Sequence, residues 1–155
     1  IQALDLVGRK MQINNGALYD EFFNQIHNYI NELSTNKDLK NHLEIFTKSF
    51  EDLRIATNYL RSIDIKNSNN INGPAVEFLQ LFSYISIGYI WLKLLDISFK
   101  KNELNKSEFF KSKISTGTYY FNKILPKTSF LKDDILSGAS EYNDYKDSFY
   151  DSGFN

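Results

Sequence analysis

Between residues 38 and 65 the sequence reads DLKNHLEIFTKSFEDLRIATNYLRSIDI. One set of positions recurs there at alternating steps of four and three residues: Leu39, Leu43, Phe46, Phe50, Leu53, Thr57 and Leu60. This spacing turns one face of an α-helix toward a neighbour that is packed nearly parallel or antiparallel to it. The stretch therefore predicts a long helix inside a helical bundle.

Polar or glycine-containing runs separate this helix from further helical stretches on both sides. The predicted helices are a stub over 1–13 stopped by Asn14, Asn15 and Gly16, a first bundle helix over 17–33, the second over 38–65, a third from Pro74 to about residue 99, a fourth from Asn105 to Pro126, and a short fifth over 129–136 ended by Gly138. No alternating apolar and polar run is long enough to predict a strand. The expected fold class is all-α, a four-helix bundle with a preceding helical stub and a short fifth helix.

The third helix is apolar nearly all round, so we expect it to be the most buried of the set. A membrane span is the rival interpretation. Its longest uncharged stretch, Phe78 to Leu92, is shorter than the roughly 20 residues that a bilayer crossing needs, and Glu77, Lys93 and Asp96 bracket it. We therefore predict no membrane span.

Two features mark the fourth helix. Asn105 followed by Glu108 has the spacing of a capping box, in which two side chains satisfy free backbone N–H groups at a helix start. Gly117 lies inside the helix, where glycine costs up to about 1 kcal/mol of helix propensity. We expect another helix to cross closely at Gly117.

Composition bounds the function of the chain. Its 155 residues are enough for one core, with a net charge of −1 and no cysteine. Disulfides, thiolate nucleophiles and cysteine-based zinc sites are therefore excluded, and a reducing cytosol, hence a cytoplasmic location, is expected. A basic edge on the second helix, formed by Lys48, Arg54, Arg61 and Lys66, is interleaved with acidic residues, so we expect a solvated face and no nucleic-acid partner.

Candidate catalytic and metal-binding residues are few. His27 and His42 lie on different predicted helices and outside the spacing of a bundle metal site, so we predict no metal site. The main carboxylates of the first two helices, Glu21, Glu32, Glu44, Glu51 and Asp52, lie mostly away from the apolar seams and are expected to be solvated. Tyr84, Tyr89 and Trp91 could line a flavin or acyl pocket, but core packing is the better interpretation. No catalytic residue is predicted.

Three stretches, in order, resemble acyl-CoA dehydrogenases. Ile1 to Lys10, IQALDLVGRK, resembles the segment that follows the Tyr-Glu-Gly-Thr motif of that family. Residues 73–95, GPAVEFLQLFSYISIGYIWLKLL, and 109–126, FFKSKISTGTYYFNKILP, resemble the extra C-terminal helical module of the larger bacterial members, such as methylmercaptopropionyl-CoA dehydrogenase. The matching residues in the module are Gly88, Trp91, Lys113, Thr116, Tyr120, Leu125, Pro126, Gly138 and Ala139.

The resemblance implies a parent enzyme in which the motif's glutamate removes the α-proton of an acyl-CoA thioester and FAD accepts a hydride. Because the chain starts at Ile1 and not Met, we expect that catalytic part upstream, as the partner of this chain, with the glutamate in it. Gln2 is the one residue here that the resemblance suggests as a flavin contact. It also implies a role in fatty acid metabolism and a homo-oligomer formed through the parent.

The expected domain organisation follows from the same resemblance. Residues 1–15 would end the dehydrogenase's C-terminal helical domain, 16–138 would form the C-terminal bundle module, and 139–155 would be an acidic, aromatic tail that is mobile or docks on a partner. The fragment alone would then be a structural and oligomerisation module without catalysis. The alternative is a stand-alone helical module that binds another protein.

Overall fold

The computed structural model describes residues 1–63, 73–105 and 107–138. Its α-helices are α1 (Gln2–Asp5), α2 (Ala17–Leu33), α3 (Lys40–Ser62), α4 (Ala75–Asn105), α5 (Glu108–Tyr119) and α6 (Thr128–Ser137). A π-helical turn, Leu6–Lys10, continues α1, and the described residues contain no strand. The predicted all-α fold, a four-helix bundle with a stub and a short fifth helix, is confirmed.

The seam predicted on α3 forms one side of the core. All seven of its positions, from Leu39 to Leu60, are buried. Thr57 is accommodated there because its hydroxyl donates a hydrogen bond of 2.8 Å to the backbone carbonyl of Leu53. A buried hydroxyl that is bonded in this way avoids the cost of an unsatisfied polar group.

The long helix α4 lies at the centre and contacts α1, α3, α5 and α6. Its buried positions recur at steps of three and four residues and include Phe78, Leu81, Ile85, Leu92 and Leu95. Aromatic rings of α2 pack on the side of this face, with the rings of Phe22 and Phe82 5.2 Å apart. One continuous core therefore joins the stub and the bundle, and Ala3, Val7 and Met11 of the stub are buried in it.

The expectation that α4 would be the most buried helix is wrong, because the bundle covers only one side of it. A second apolar stripe, Val76, Ile87, Ile90, Leu94 and Ile97, is exposed on the side opposite the core. The sequence is apolar all round because the helix has two apolar faces, of which the bundle covers one. By length and composition Ala75–Leu104 could cross a membrane, but core helices meet the same criterion.

The turn between the stub and α2 has the residues that its backbone requires. Asn14, Asn15 and Gly16 have φ values of 52°, 55° and 87°, in the left-handed region where asparagine and glycine are tolerated best. The stop predicted at these residues is confirmed. Arg61 of α3 holds the turn, since its guanidinium donates to the Gly16 carbonyl at 2.9 Å and to the Asp20 carboxylate at 2.9 Å.

The start of α5 differs from the predicted capping box. Because α4 continues to Asn105, the predicted cap residue belongs to the preceding helix. Ser107 is the N-cap of α5, and its side chain makes no capping hydrogen bond. The capping-box prediction is therefore wrong.

The end of α5 also differs, because α-helical bonding stops at Tyr119 and passes into a π-helical turn, Tyr120–Ile124. A 3₁₀ turn, Leu125–Lys127, then leads directly into α6. Pro126 explains this change, since its ring and missing N–H prevent the regular i to i−4 ladder from continuing.

Glycines in α4 and α5 permit close packing. A Cβ atom on Gly117 would lie 2.7 Å from Leu95 Cδ2, so the close crossing predicted at Gly117 is confirmed. A Cβ on Gly88 would lie 3.0 Å from the Phe46 ring. Gly138, with φ of 79°, ends α6 as predicted. The predicted tail, 139–155, lies outside the described residues, and the division of the chain at residue 15 stays a prediction.

Candidate functional site

The two histidines have different surroundings. His42 of α3 is buried, its Nε2 lies 3.0 Å from the Thr118 hydroxyl, and its ring meets Phe121 edge to face at 5.3 Å. Burial lowers the pKa of the His42 imidazole. His27 is exposed on α2. Across residues 1–63, 73–105 and 107–138, no three His, Asp or Glu side chains form a group that could hold a metal ion.

The carboxylate side chains are accessible to solvent, as predicted, with one exception. Glu21, Glu32 and Glu44 are exposed and Glu51 is half-buried, whereas Asp52 is only 7% exposed. The prediction that these carboxylates lie in solvent is therefore wrong for Asp52. Its Oδ2 accepts a hydrogen bond of 2.8 Å from the Thr128 hydroxyl, and Lys132 Nζ lies 3.7 Å from its Oδ1.

The neighbours of Asp52 explain why it is buried. Ser49 and Ala56, at i−3 and i+4 on the same side of α3, are small and buried, so α6 can approach there. The hydroxyl of Ser49 donates to the Leu125 carbonyl at 3.3 Å. A row of small residues beside a polar one was the sequence signal for this packing, but its partner Thr128 is 76 residues away. Asp52 therefore fastens α6 to α3.

A groove of about 750 Å³ runs along the outer side of α2 and α3. Ile30 and Leu43 form part of its apolar floor, while Lys48, Glu51 and Asp52 contribute polar edges. The groove is open, and its charged side chains carry both signs. It has the character of a surface between loosely packed helices, and no pair of nucleophile and base meets in it.

The aromatic residues of α4 pack against the bundle. Tyr84, Tyr89 and Trp91 are half-buried. The Tyr89 ring contacts Tyr29 edge to face at 5.7 Å, and the ammonium of Lys93 lies 4.1 Å from its centroid. These contacts describe structural packing of the kind expected from the sequence.

The predicted basic edge is divided among acidic partners. Arg54 pairs with Glu51 at 2.8 Å and Arg61 with Asp20 at 2.9 Å. Lys48 is exposed, and Lys66 lies outside the described residues. Since ion pairing neutralises two of the cations, this edge is a poor match for a nucleic-acid backbone.

Gln2, the residue suggested as a flavin contact, is the exposed first residue of α1. A single exposed amide offers hydrogen bonds but no cradle for an isoalloxazine ring. The sequence-predicted candidates are thus not brought together: His42 and Asp52 are separate structural contacts, and Gln2 is on the surface. Among the described residues, the outer stripe of α4 is a run of apolar side chains that the bundle leaves exposed.

Comparison with known proteins identifies a family that this chain matches. A family model described as acetyl-CoA dehydrogenase C-terminal like matches residues 22–146, which includes everything described from α2 to α6 except residues 17–21 of α2. No curated protein matches the chain. Because the family model covers most of the chain, and because the all-helical bundle agrees with it, the chain belongs to the acetyl-CoA dehydrogenase C-terminal-like family.

Proposed function

We propose that this chain is the C-terminal structural and oligomerisation module of an FAD-dependent acyl-CoA dehydrogenase of the larger bacterial type. The single observation that carries the proposal is the family match over residues 22–146. The order of the three resembling stretches supports it, since IQALDLVGRK would then join this module to an upstream catalytic part. The module would cover that part and extend the subunit interface, in a cytoplasmic enzyme of fatty acid metabolism.

In the parent, a glutamate would remove the α-proton of the thioester, and bound FAD would accept the β-hydrogen as hydride. Both groups would belong to the upstream part. The described residues do not fit a flavin by themselves, because Gln2 is the one suggested contact and it is exposed. No step of the reaction is therefore assigned to this chain.

The test compares the full-length gene product with the isolated chain. Intact mass and visible absorbance are recorded for both proteins, before and after FAD is added. We expect the full-length protein to be yellow and to bleach when an acyl-CoA thioester is added, and the isolated chain to stay colourless. A full-length product that is colourless and inert with added FAD would sink the proposal.

The alternative is a stand-alone helical module that binds another protein, and the apolar outer stripe of α4 favours it. The two candidates differ in the encoded sequence before Ile1. A Tyr-Glu-Gly-Thr motif there supports the dehydrogenase parent, whereas an unrelated domain supports the interaction module.

A further inference from the structure

The groove along α2 and α3 is longer than its first cavity. A second cavity of about 530 Å³ shares Ile30, Thr47 and Glu51 with the groove of about 750 Å³ and reaches Arg54. Together they follow the outer side of α3 from Arg54 back to Lys40, which is about 21 Å of helix. We call this channel the α2–α3 groove. An open channel with an apolar floor is the kind of surface into which an amphipathic helix packs.

Helix α6 ends on the same side of α3, close to one end of this groove. Thr128 at its start bonds Asp52, and a Cβ atom on Gly138 at its end would lie 3.0 Å from the Tyr59 hydroxyl. The tail, residues 139–155, therefore begins about 8 Å along α3 beyond Arg54. From there it can enter the groove only by turning back, antiparallel to α3. As a helix its 17 residues would span about 25 Å, close to the length of the groove.

The sequence of the tail, ASEYNDYKDSFYDSGFN, has the spacing of an amphipathic helix. Aromatic residues recur at steps of three and four, at Tyr142, Tyr145 and Phe149. Carboxylates recur beside them at steps of three, three and four, at Glu141, Asp144, Asp147 and Asp151. Such steps place the rings on one face of a helix and the carboxylates on an adjacent face. The family match also continues past α6 to residue 146, so about half of the tail belongs to the same family domain as the bundle.

The tail and the bundle carry opposite net charges. The tail has four carboxylates and one lysine, a net charge of −3. Since the whole chain has a net charge of −1, residues 1–138 carry +2. Opposite charges favour association of the tail with the bundle, and salt screens this attraction where the charges are exposed.

We propose that the tail of the same chain occupies the α2–α3 groove as an amphipathic helix antiparallel to α3. The register follows from the contact of Gly138 with Tyr59, because both helices rise about 1.5 Å per residue. Counted back from that contact, Tyr142 lies level with Ile55, an isoleucine of α3 that is 38% exposed. The rings that follow reach the apolar floor, to which Ile30 and Leu43 contribute.

The same register brings opposite charges together. Lys146, the one cation of the tail, lies level with Glu51. Asp147 and Asp151 lie on either side of Lys48, which is exposed and takes part in no ion pair among the described residues. Charge therefore favours this register as well as the groove itself.

The test uses the whole 155-residue chain, in which a single engineered cysteine can carry a nitroxide label because the chain has none of its own. Ser152→Cys places the label late in the tail. We expect the amide signals of Glu44 and Thr47 to lose more than half of their intensity relative to the reduced label, and that of Glu77 to keep most of it. A tail that hangs freely would give the reverse, because Glu77 lies beside Gly138.

A charge reversal tests the register. In the labelled chain, Lys48→Glu should lower the ratio of docked to free tail about five-fold, because it turns two attractive contacts into repulsive ones. Lys101→Glu, the same change at an exposed lysine of α4, is the matched control and should leave the ratio unchanged. Circular dichroism checks that both variants fold.

Each contrary result overturns a stated part. Signal loss centred on Glu77 refutes docking, and loss at Ile90 places the tail on the outer stripe of α4 instead. If a nitroxide-labelled chain weakens the Thr47 signal of a second, unlabelled copy, the occupant comes from another molecule. Equal effects of Lys48→Glu and Lys101→Glu refute the register. The inference does not depend on flavin, so a colourless full-length protein refutes the dehydrogenase parent and leaves this contact intact.

Discussion

Gly117 lies so close to Leu95 that a methyl group on the glycine would come within 2.7 Å of the leucine Cδ2 and 2.9 Å of its Cγ. Leu95 is fully buried, so it cannot turn away without disturbing the core. The contact sets the distance between α4 and α5, and it explains why a residue with poor helix propensity stands in the middle of a helix.

We predict that Gly117→Ala lowers the free energy of unfolding by about 1–2 kcal/mol. Overpacking against Leu95 costs about 1–3 kcal/mol, and the gain in helix propensity offsets up to about 1 kcal/mol of it. Urea denaturation measures the change. Gly8→Ala is the control, because a Cβ there meets nothing within 4 Å, and it should be neutral or slightly stabilising. A more stable Gly117→Ala protein would show that α4 and α5 leave room for a methyl group at this crossing.

Asp52 should matter for stability far more than its neighbour Glu51. Asp52→Ala removes the acceptor of the Thr128 hydrogen bond and the ion-pair partner of Lys132, and we expect a loss of about 2 kcal/mol. Glu51→Ala removes an exposed pair with Arg54 and should cost under about 1 kcal/mol. Chemical denaturation of the two variants at pH 7 makes the comparison. Equal losses would argue against Asp52 as a buried fastening between α3 and α6.

Burial of His42 predicts a pH dependence of stability. Because the pKa of His42 is lower in the folded protein than the ordinary 6.5, the unfolded chain takes up a proton first as the pH falls. The stabilisation is present above the ordinary pKa of 6.5 and should be lost as the pH falls below it, toward the lowered pKa of the folded state. His42→Gln should flatten the stability curve in that window. His27→Gln, at the exposed histidine, should keep the wild-type slope, and an unchanged slope in His42→Gln would refute the assignment.

Two half-buried phenols predict that stability also falls at high pH. Burial raises the pKa of Tyr29 and of Tyr120 to about 12 each, and Tyr120 also donates a hydrogen bond of 2.9 Å to the Tyr84 carbonyl. The neutral phenol is therefore favoured by folding, so stability should fall as the pH rises from 10 toward 12. Tyr120→Phe should lessen that decline, whereas Tyr119→Phe, at an exposed ring, should not. Tyrosinate absorbance during an alkaline titration follows the same groups.

Periodicity predicted the helices well where a single face is buried. Helix α2 runs from Ala17 to Leu33 as predicted, and every position of the α3 seam is buried. For α4 periodicity could not decide burial, because a helix with two opposite apolar faces and a fully enclosed helix have the same composition. The sequence did contain a signal for the second face, because the exposed apolar residues of α4 recur at their own steps of three and four residues.

Local sequence patterns could not predict the contacts between residues that are far apart in the chain. The capping box failed because α4, stabilised by its core contacts, continues through Asn105. Asp52 was expected in solvent because its partner Thr128 lies on a helix that the spacing around Asp52 does not reveal. For the candidate site, the sequence predicted no assembled catalytic group. The exposed apolar stripe of α4 could be recognised as a candidate surface only after the structure showed which face of α4 lies in the core.

Arg61 holds the left-handed turn at Asn14, Asn15 and Gly16, and this long-range contact predicts an order of folding. The guanidinium reaches Gly16 across 45 residues of chain, so the loop between them must close before the turn is held. The N-terminal stub should therefore lock late, after α2 and α3 have paired. Pulsed hydrogen exchange during refolding would then show amides near Met11 protected after those of α3, and simultaneous protection would contradict this sequence of events. The first residues of the chain are in this sense the last to become native.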